Sequence, residues 1–187
     1  MRTLIIALFS LAATLAQASP PELKVPAGRA VLVDGRCEAE EWAGAATIPL
    51  GSGALLRAQQ AGEYVYLCVQ PAAPSRFGVD AYFARTGQPV LNLHVSAKLG
   101  ERVAGEKGFP DWAWWNNVRW TGNPTRPNRF DRPDFQADEA KELQIHRTRL
   151  AGAGLRMMLE VHSDATLTYP ADAKAGETAR WMAIQLD

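Results

Sequence analysis

The chain has 187 residues, with 20 Lys/Arg against 20 Asp/Glu and a hydrophobic fraction of 47%. Balanced charge offers no electrostatic handle for nucleic acid or for an anionic membrane surface. The apolar fraction excludes a disordered chain, and the length suits one domain with a real core.

Residues 1–18 have the outline of a secretory signal. Arg2 supplies the positive start, residues 4–15 are apolar, and Ala16-Gln17-Ala18 fits small-x-small cleavage. The apolar run is short for a bilayer span, so a mature chain beginning at Ser19 is expected, periplasmic or secreted and free of the membrane after cleavage. Taking 18 residues from 187 leaves 169, with 19 basic and 20 acidic side chains. The two cysteines, Cys37 and Cys68, would then sit in an oxidising compartment, where an even count favours a disulfide. Two unpaired buried thiols are the alternative. No metal site is expected: there is no C-x-x-C, and His94, His146 and His162 show no ligand spacing.

Residues 19–29 read as an extended lead-in around Pro20, Pro21 and Pro26. The domain proper is expected over 30–187. It opens with VLVDGRCEAEEWAGA at 31–45: a short strand at 31–33, an Asp34-Gly35 turn, an acidic run, then Trp42. Asp-Gly favours a turn because Gly accepts positive φ and Asp bonds its own backbone. Residues 47–50 form a strand candidate. Residues 54–60 are ambiguous, but with 64–69 they read as a hairpin. In that second strand Tyr64, Tyr66 and Cys68 share one face and Val65, Leu67 and Val69 the other. Both faces are apolar, which marks a central strand.

Residues 77–84 are the next strand, followed by a turn at 87–89. Residues 90–98 alternate cleanly: Leu91, Leu93, Val95 and Ala97 on one side, Asn92, His94, Ser96 and Lys98 on the other. This pattern predicts a half-buried antiparallel strand, with His94 as a solvated residue on its polar face. Residues 109–130 hold four of the six tryptophans. Read as a strand, Trp112, Trp114, Asn116, Val118 and Trp120 share a face, with Trp115 and Arg119 opposite. Residues 122–133 are a long irregular loop. Residues 137–142 are a polar patch with room for one helical turn, 143–150 begin as a strand, and 155–162 alternate with Leu155, Met157, Leu159 and Val161 inward. Residues 169–178 are a loop, and 181–186 close the chain as a strand. Short strands, frequent Gly/Pro turns and no sustained helical period indicate an all-β, antiparallel two-sheet β-sandwich, of jelly-roll or immunoglobulin-like type.

The opening motif resembles that of the family 9 carbohydrate-binding modules and the broader DOMON-like sandwiches. GEYVYLCVQ, VDAYFA, KELQIHRTRL and ARWMAIQL are similar, in order and spacing, to later strands of that family, and the likeness covers most of 29–187. It implies a lectin-like site, with indoles holding a sugar and a place for structural calcium. Family members often accompany glycoside hydrolases. No calcium loop of D-x-D-x-D-G type occurs here. Trp42 and Trp181 fall in framework motifs and read as structural.

Two readings of the other tryptophans stand. One sets Trp112, Trp114, Trp115 and Trp120 around a sugar, with Asn116, Asn117 and Arg119 bonding its hydroxyls. The other buries Trp112 and Trp114 in the core and leaves Trp115, beside Asn and Arg, as the binding candidate. Glu142 and Glu160 lie on different late strands, and nothing in the sequence pairs them for carboxylate catalysis. With no recognisable catalytic motif, no enzymatic activity is expected. The sequence therefore points to a carbohydrate-binding module whose partner is a glycan or polysaccharide. The alternatives are a haem binder drawing an axial ligand from Met157, Met158, His146 or His162, and a module that uses the tryptophan segment against another protein.

Overall fold

The computed structural model describes residues 19–115, 125–127, 133–135 and 137–187, the backbone alone at 115, 125–127 and 133–135. The expected signal segment 1–18 lies outside the described residues. In chain order the strands are β1 (Glu22–Val25), β2 (Ala46–Gly51), β3 (Ala54–Ala61), β4 (Tyr64–Gln70), β5 (Gly78–Arg85), β6 (Gln88–Val95), β7 (Leu99–Val103), β8 (Ala113–Trp115), β9 (Thr125–Pro127), β10 (Pro133–Phe135), β11 (Lys141–His146), β12 (Arg156–His162), β13 (Thr166–Tyr169) and β14 (Met182–Leu186).

Two sheets result. The larger runs β1-β14-β12-β5-β6-β7-β8, with β13 also on β12; the smaller runs β11-β4-β3-β2. Strands β9 and β10 form a separate antiparallel pair. Pairing within the two sheets is antiparallel except for β1 on β14. The chain is an all-β sandwich. Its core lies between the sheets: Val79, Ala81 and Phe83 of β5, Leu91, Leu93 and Val95 of β6, and Met157, Leu159 and Val161 of β12 meet Leu56, Val65, Leu67 and Val69 of the smaller sheet. Each set recurs every second residue, as a pleated strand requires.

The central position expected for β4 is realised, with β3 on one side and β11 on the other. Its outward Tyr66 and Cys68 are covered by the opening segment through Val31, Cys37 and Trp42. The Cys37–Cys68 disulfide clamps that cover to the sheet, with the Cα atoms 6.2 Å apart. The proline-rich start contributes β1 and then crosses to the smaller sheet, where the Gln60 amide donates to Pro26 O and Gly28 N donates to Gln60 O. The buried Gln60 side chain adds a bond to Val25 O.

Several expectations change. Residues 31–33 are not a strand. Leu32 N donates to the Glu41 carboxylate, and Asp34 N and Gly35 N donate to that of Glu142, so side chains take the donors that a ladder would use. Residues 137–142 hold no helical turn: Asp138 bridges to Ser75 and β11 begins at Lys141. Residues 147–149 form a 3-10 turn rather than more strand. The loop expected at 169–178 loses its first residue to β13.

Candidate functional site

The outer face of the larger sheet carries the residues that alternate with its core set: Asp80 and Tyr82 on β5, Asn92 and His94 on β6, Met158, Glu160 and His162 on β12. One end is closed, where Trp181 packs with Tyr82, Ala84, Met158 and Ala173 and its indole N–H donates to Lys174 O at 2.9 Å. The other end carries polar and aromatic groups.

Register places them. Glu160 lies opposite Asp80, Asp80 opposite His94, His94 opposite Gly100, and Gly100 opposite Trp114. One row therefore crosses five strands. Asp80 sits at its centre, with Oδ1 2.8 Å from His94 Nδ1 and Oδ2 2.9 Å from His162 Nε2. Burial pushes the Asp80 carboxyl up, but the hydrogen bonds and charges of His94 and His162 outweigh it and hold the group below its ordinary value. An ionised carboxylate only accepts, so both facing ring nitrogens carry hydrogen. Behind them, His94 Nε2 meets Ser96 Oγ at 2.8 Å and His162 Nδ1 meets Thr166 Oγ1 at 3.3 Å. Tyr82 O–H donates to Glu160 Oε2 at 3.0 Å. Burial, with Glu160 and Asp80 nearby, pushes the Tyr82 phenol well above its usual range.

The aromatic part lies beside this network. Trp112 and Trp114 share a face as alternation predicts, with ring centroids 5.4 Å apart. The His94 ring meets both edge-on at 5.4 Å. Gly100 permits this approach: a Cβ there would stand 2.9 Å from the Trp114 ring and 3.1 Å from that of Trp112. Arg102 lies 4.1 Å from the Trp112 centroid and 4.7 Å from that of Phe109, and Lys98 lies 5.6 Å from Trp114. Arg102 is held by Asn92 Oδ1 at 2.8 Å, and such cation–aromatic contacts stabilise the row.

The core reading of Trp112 and Trp114 therefore gives way. Trp112 is half-buried and Trp114 is 45% exposed. His94 is not the solvated residue expected from its strand, since its side chain is only 17% exposed within the network; the alternation could not reveal that two tryptophans from β8 and its approach close over it. The backbone of Trp115 belongs to β8. Asn116, Asn117, Arg119 and Trp120 lie outside the described residues. Trp42 and Trp181 are buried framework residues, 4% and 0% exposed.

Glu142, unpaired in the sequence, is buried beneath the opening turn, with Trp42 Nε1 donating to Oε1. Met157 lies in the inter-sheet core and Met158 under Trp181. A cavity of about 250 Å³ is lined by Leu93, Leu99, Leu143, Ile145 and His146, and a second of about 420 Å³ by Ala54, Pro71, Phe77, Val161 and Leu167. His146 is the one haem-ligand candidate that lines either.

The chain matches no protein-family model, no curated protein and no solved structure at a significant level.

Proposed function

We propose that this chain is an exported, non-catalytic carbohydrate-binding domain that presents Trp112 and Trp114 to a glycan, alone or beside a separate glycoside hydrolase. The observation that carries this is the Trp114 ring. It stands 45% exposed on the outer side of the larger sheet while its neighbours Trp112, His94 and Lys98 hold its position. An indole so fixed offers a flat apolar surface to sugar C–H groups at little ordering cost. Lys98, 5.6 Å from the ring centroid, supplies a directed bond to a hydroxyl. Asn116, Asn117, Arg119, Trp115 and Trp120 follow directly in sequence and are proposed as further contacts.

Export is supported by the Cys37–Cys68 disulfide, a bond that persists in oxidising compartments, and by the signal-like residues 1–18. A glycan-array screen of the mature chain tests the reading. Binding to a defined glycan class, lost in Trp114→Ala, is the expected result. Silence across the array, or equal binding by wild type and variant, counts against it.

A further inference from the structure

The two carboxylates on this face are direct cross-strand neighbours: Asp80 on β5 lies opposite Glu160 on β12. Like charges at such a position repel. His162, two residues beyond Glu160 on the same face, places Nε2 between them, 2.9 Å from Asp80 Oδ2 and 3.8 Å from Glu160 Oε2. We propose that Asp80, Glu160 and His162 bind a divalent transition-metal ion such as Zn²⁺, with water or ligand completing its coordination.

Four observations carry this. The donor atoms of the three residues all lie within 4.8 Å of one another. A tetrahedral ion with bonds of about 2.0–2.1 Å sets its ligands roughly 3.3 Å apart, and the separations of 2.9 and 3.8 Å bracket that value. The outer groups are those that orient metal ligands. On metal binding the His162 imidazole hydrogen passes from Nε2, where it bonds Asp80 in the metal-free protein, to Nδ1, where Thr166 Oγ1 faces it and can accept it. The Nε2 lone pair is then free for metal. His94 ties down the second oxygen of Asp80, and Tyr82 donates to Glu160. Finally, the His162 side chain is 37% exposed, which gives an ion a path in. One imidazole with two carboxylates suits a borderline ion such as Zn²⁺. The calcium of the family resemblance takes six to eight oxygens, and this set does not fit it.

The site does not depend on glycan binding, and its test uses none. Zn²⁺ alone is titrated calorimetrically into the chelator-treated mature chain. The expected result is one ion per chain, with affinity at least tenfold weaker in His162→Ala and in Glu160→Gln. Thr166→Val should weaken it while leaving all three ligands in place, and His146→Ala, at a surface histidine on the other sheet, should not change it. Co²⁺ in place of Zn²⁺ should give the visible absorption of a low-coordinate complex, absent in His162→Ala. No Zn²⁺ uptake by the wild type, uptake unaffected by His162→Ala and Glu160→Gln, or uptake lost only in His146→Ala would overturn the proposal. Circular dichroism of each variant separates loss of the site from loss of the fold. Glu160→Gln keeps the volume and the Tyr82 hydrogen bond, so it tests the site even if His162→Ala does not fold.

Discussion

Trp42 Nε1 donates to Glu142 Oε1 at 3.2 Å, joining residues one hundred positions apart in sequence. The other carboxylate oxygen accepts from Asp34 N at 2.9 Å and Gly35 N at 2.7 Å. One buried side chain thus fixes the opening turn, where Gly35 takes φ 84°, and the indole that follows it. Glu142→Gln keeps the size but turns an N–H₂ toward one of these donors. A loss of about 1–3 kcal/mol is expected, the cost of an unsatisfied buried group. Urea unfolding measures it, and Trp42→Phe in the Gln background should add less than it does in the wild type.

The same residue sets a pH dependence. Burial pushes the Glu142 carboxyl up from 4.5, and its bonds from Gly35, Asp34 and Trp42 only partly pull it back. The folded state therefore holds this proton more tightly than the unfolded chain does. The contribution is fully present below pH 4.5 and is lost as pH rises through the folded value. The stability advantage of wild type over Glu142→Gln should be largest in acid and narrow upward; a gap that widens with pH contradicts this.

The pair Lys141–Asp138 is buried on both sides, with Nζ 2.8 Å from Oδ2. Burial pushes the Lys141 ammonium down and Asp138 pushes it back up. Lys141 Nζ also donates to Ser96 O and lies over the Phe77 ring, so removing the carboxylate by Asp138→Ala should cost about 1–3 kcal/mol, read as a lowered denaturation midpoint.

Reduction tests the clamp on the opening segment. The Cys37–Cys68 bridge spans a sequence separation of 31, for which chain entropy gives about 3–4 kcal/mol. A Cys37→Ser, Cys68→Ser chain should unfold at correspondingly lower denaturant, and dithiothreitol should move wild type to the same place.

What could be read from sequence followed strict alternation. β6 and β12 alternate because one side of each faces the other sheet, so Leu91, Leu93, Met157 and Leu159 were identifiable as core. Tyr66 and Cys68 marked β4 as covered on both faces. The ends were less readable. Val31 is apolar because it packs on β4, not because it is in a ladder. Strand β13 is four residues long and runs up to Pro170, too short for its alternation to stand out, and only its last residue fell in the expected loop. The site was half visible: the shared face of Trp112 and Trp114 follows from their spacing. Asp80, Glu160 and His162 come together only through the β5–β12 register, and no local spacing encodes that pairing.

Gly100 gives a test of the platform that leaves its indoles intact. A methyl group there would meet both rings, and overpacking of this kind costs about 1–3 kcal/mol. Gly100→Ala should weaken glycan binding by displacing Trp114.

The measurement closest to the central claim is native affinity electrophoresis of wild type and Trp114→Ala through gels containing the glycan picked out by the array. Retarded migration of the wild type, with a dissociation constant raised tenfold or more in the variant, equivalent to about 1.4 kcal/mol, is the predicted result. Equal migration of the two proteins in every gel would contradict it.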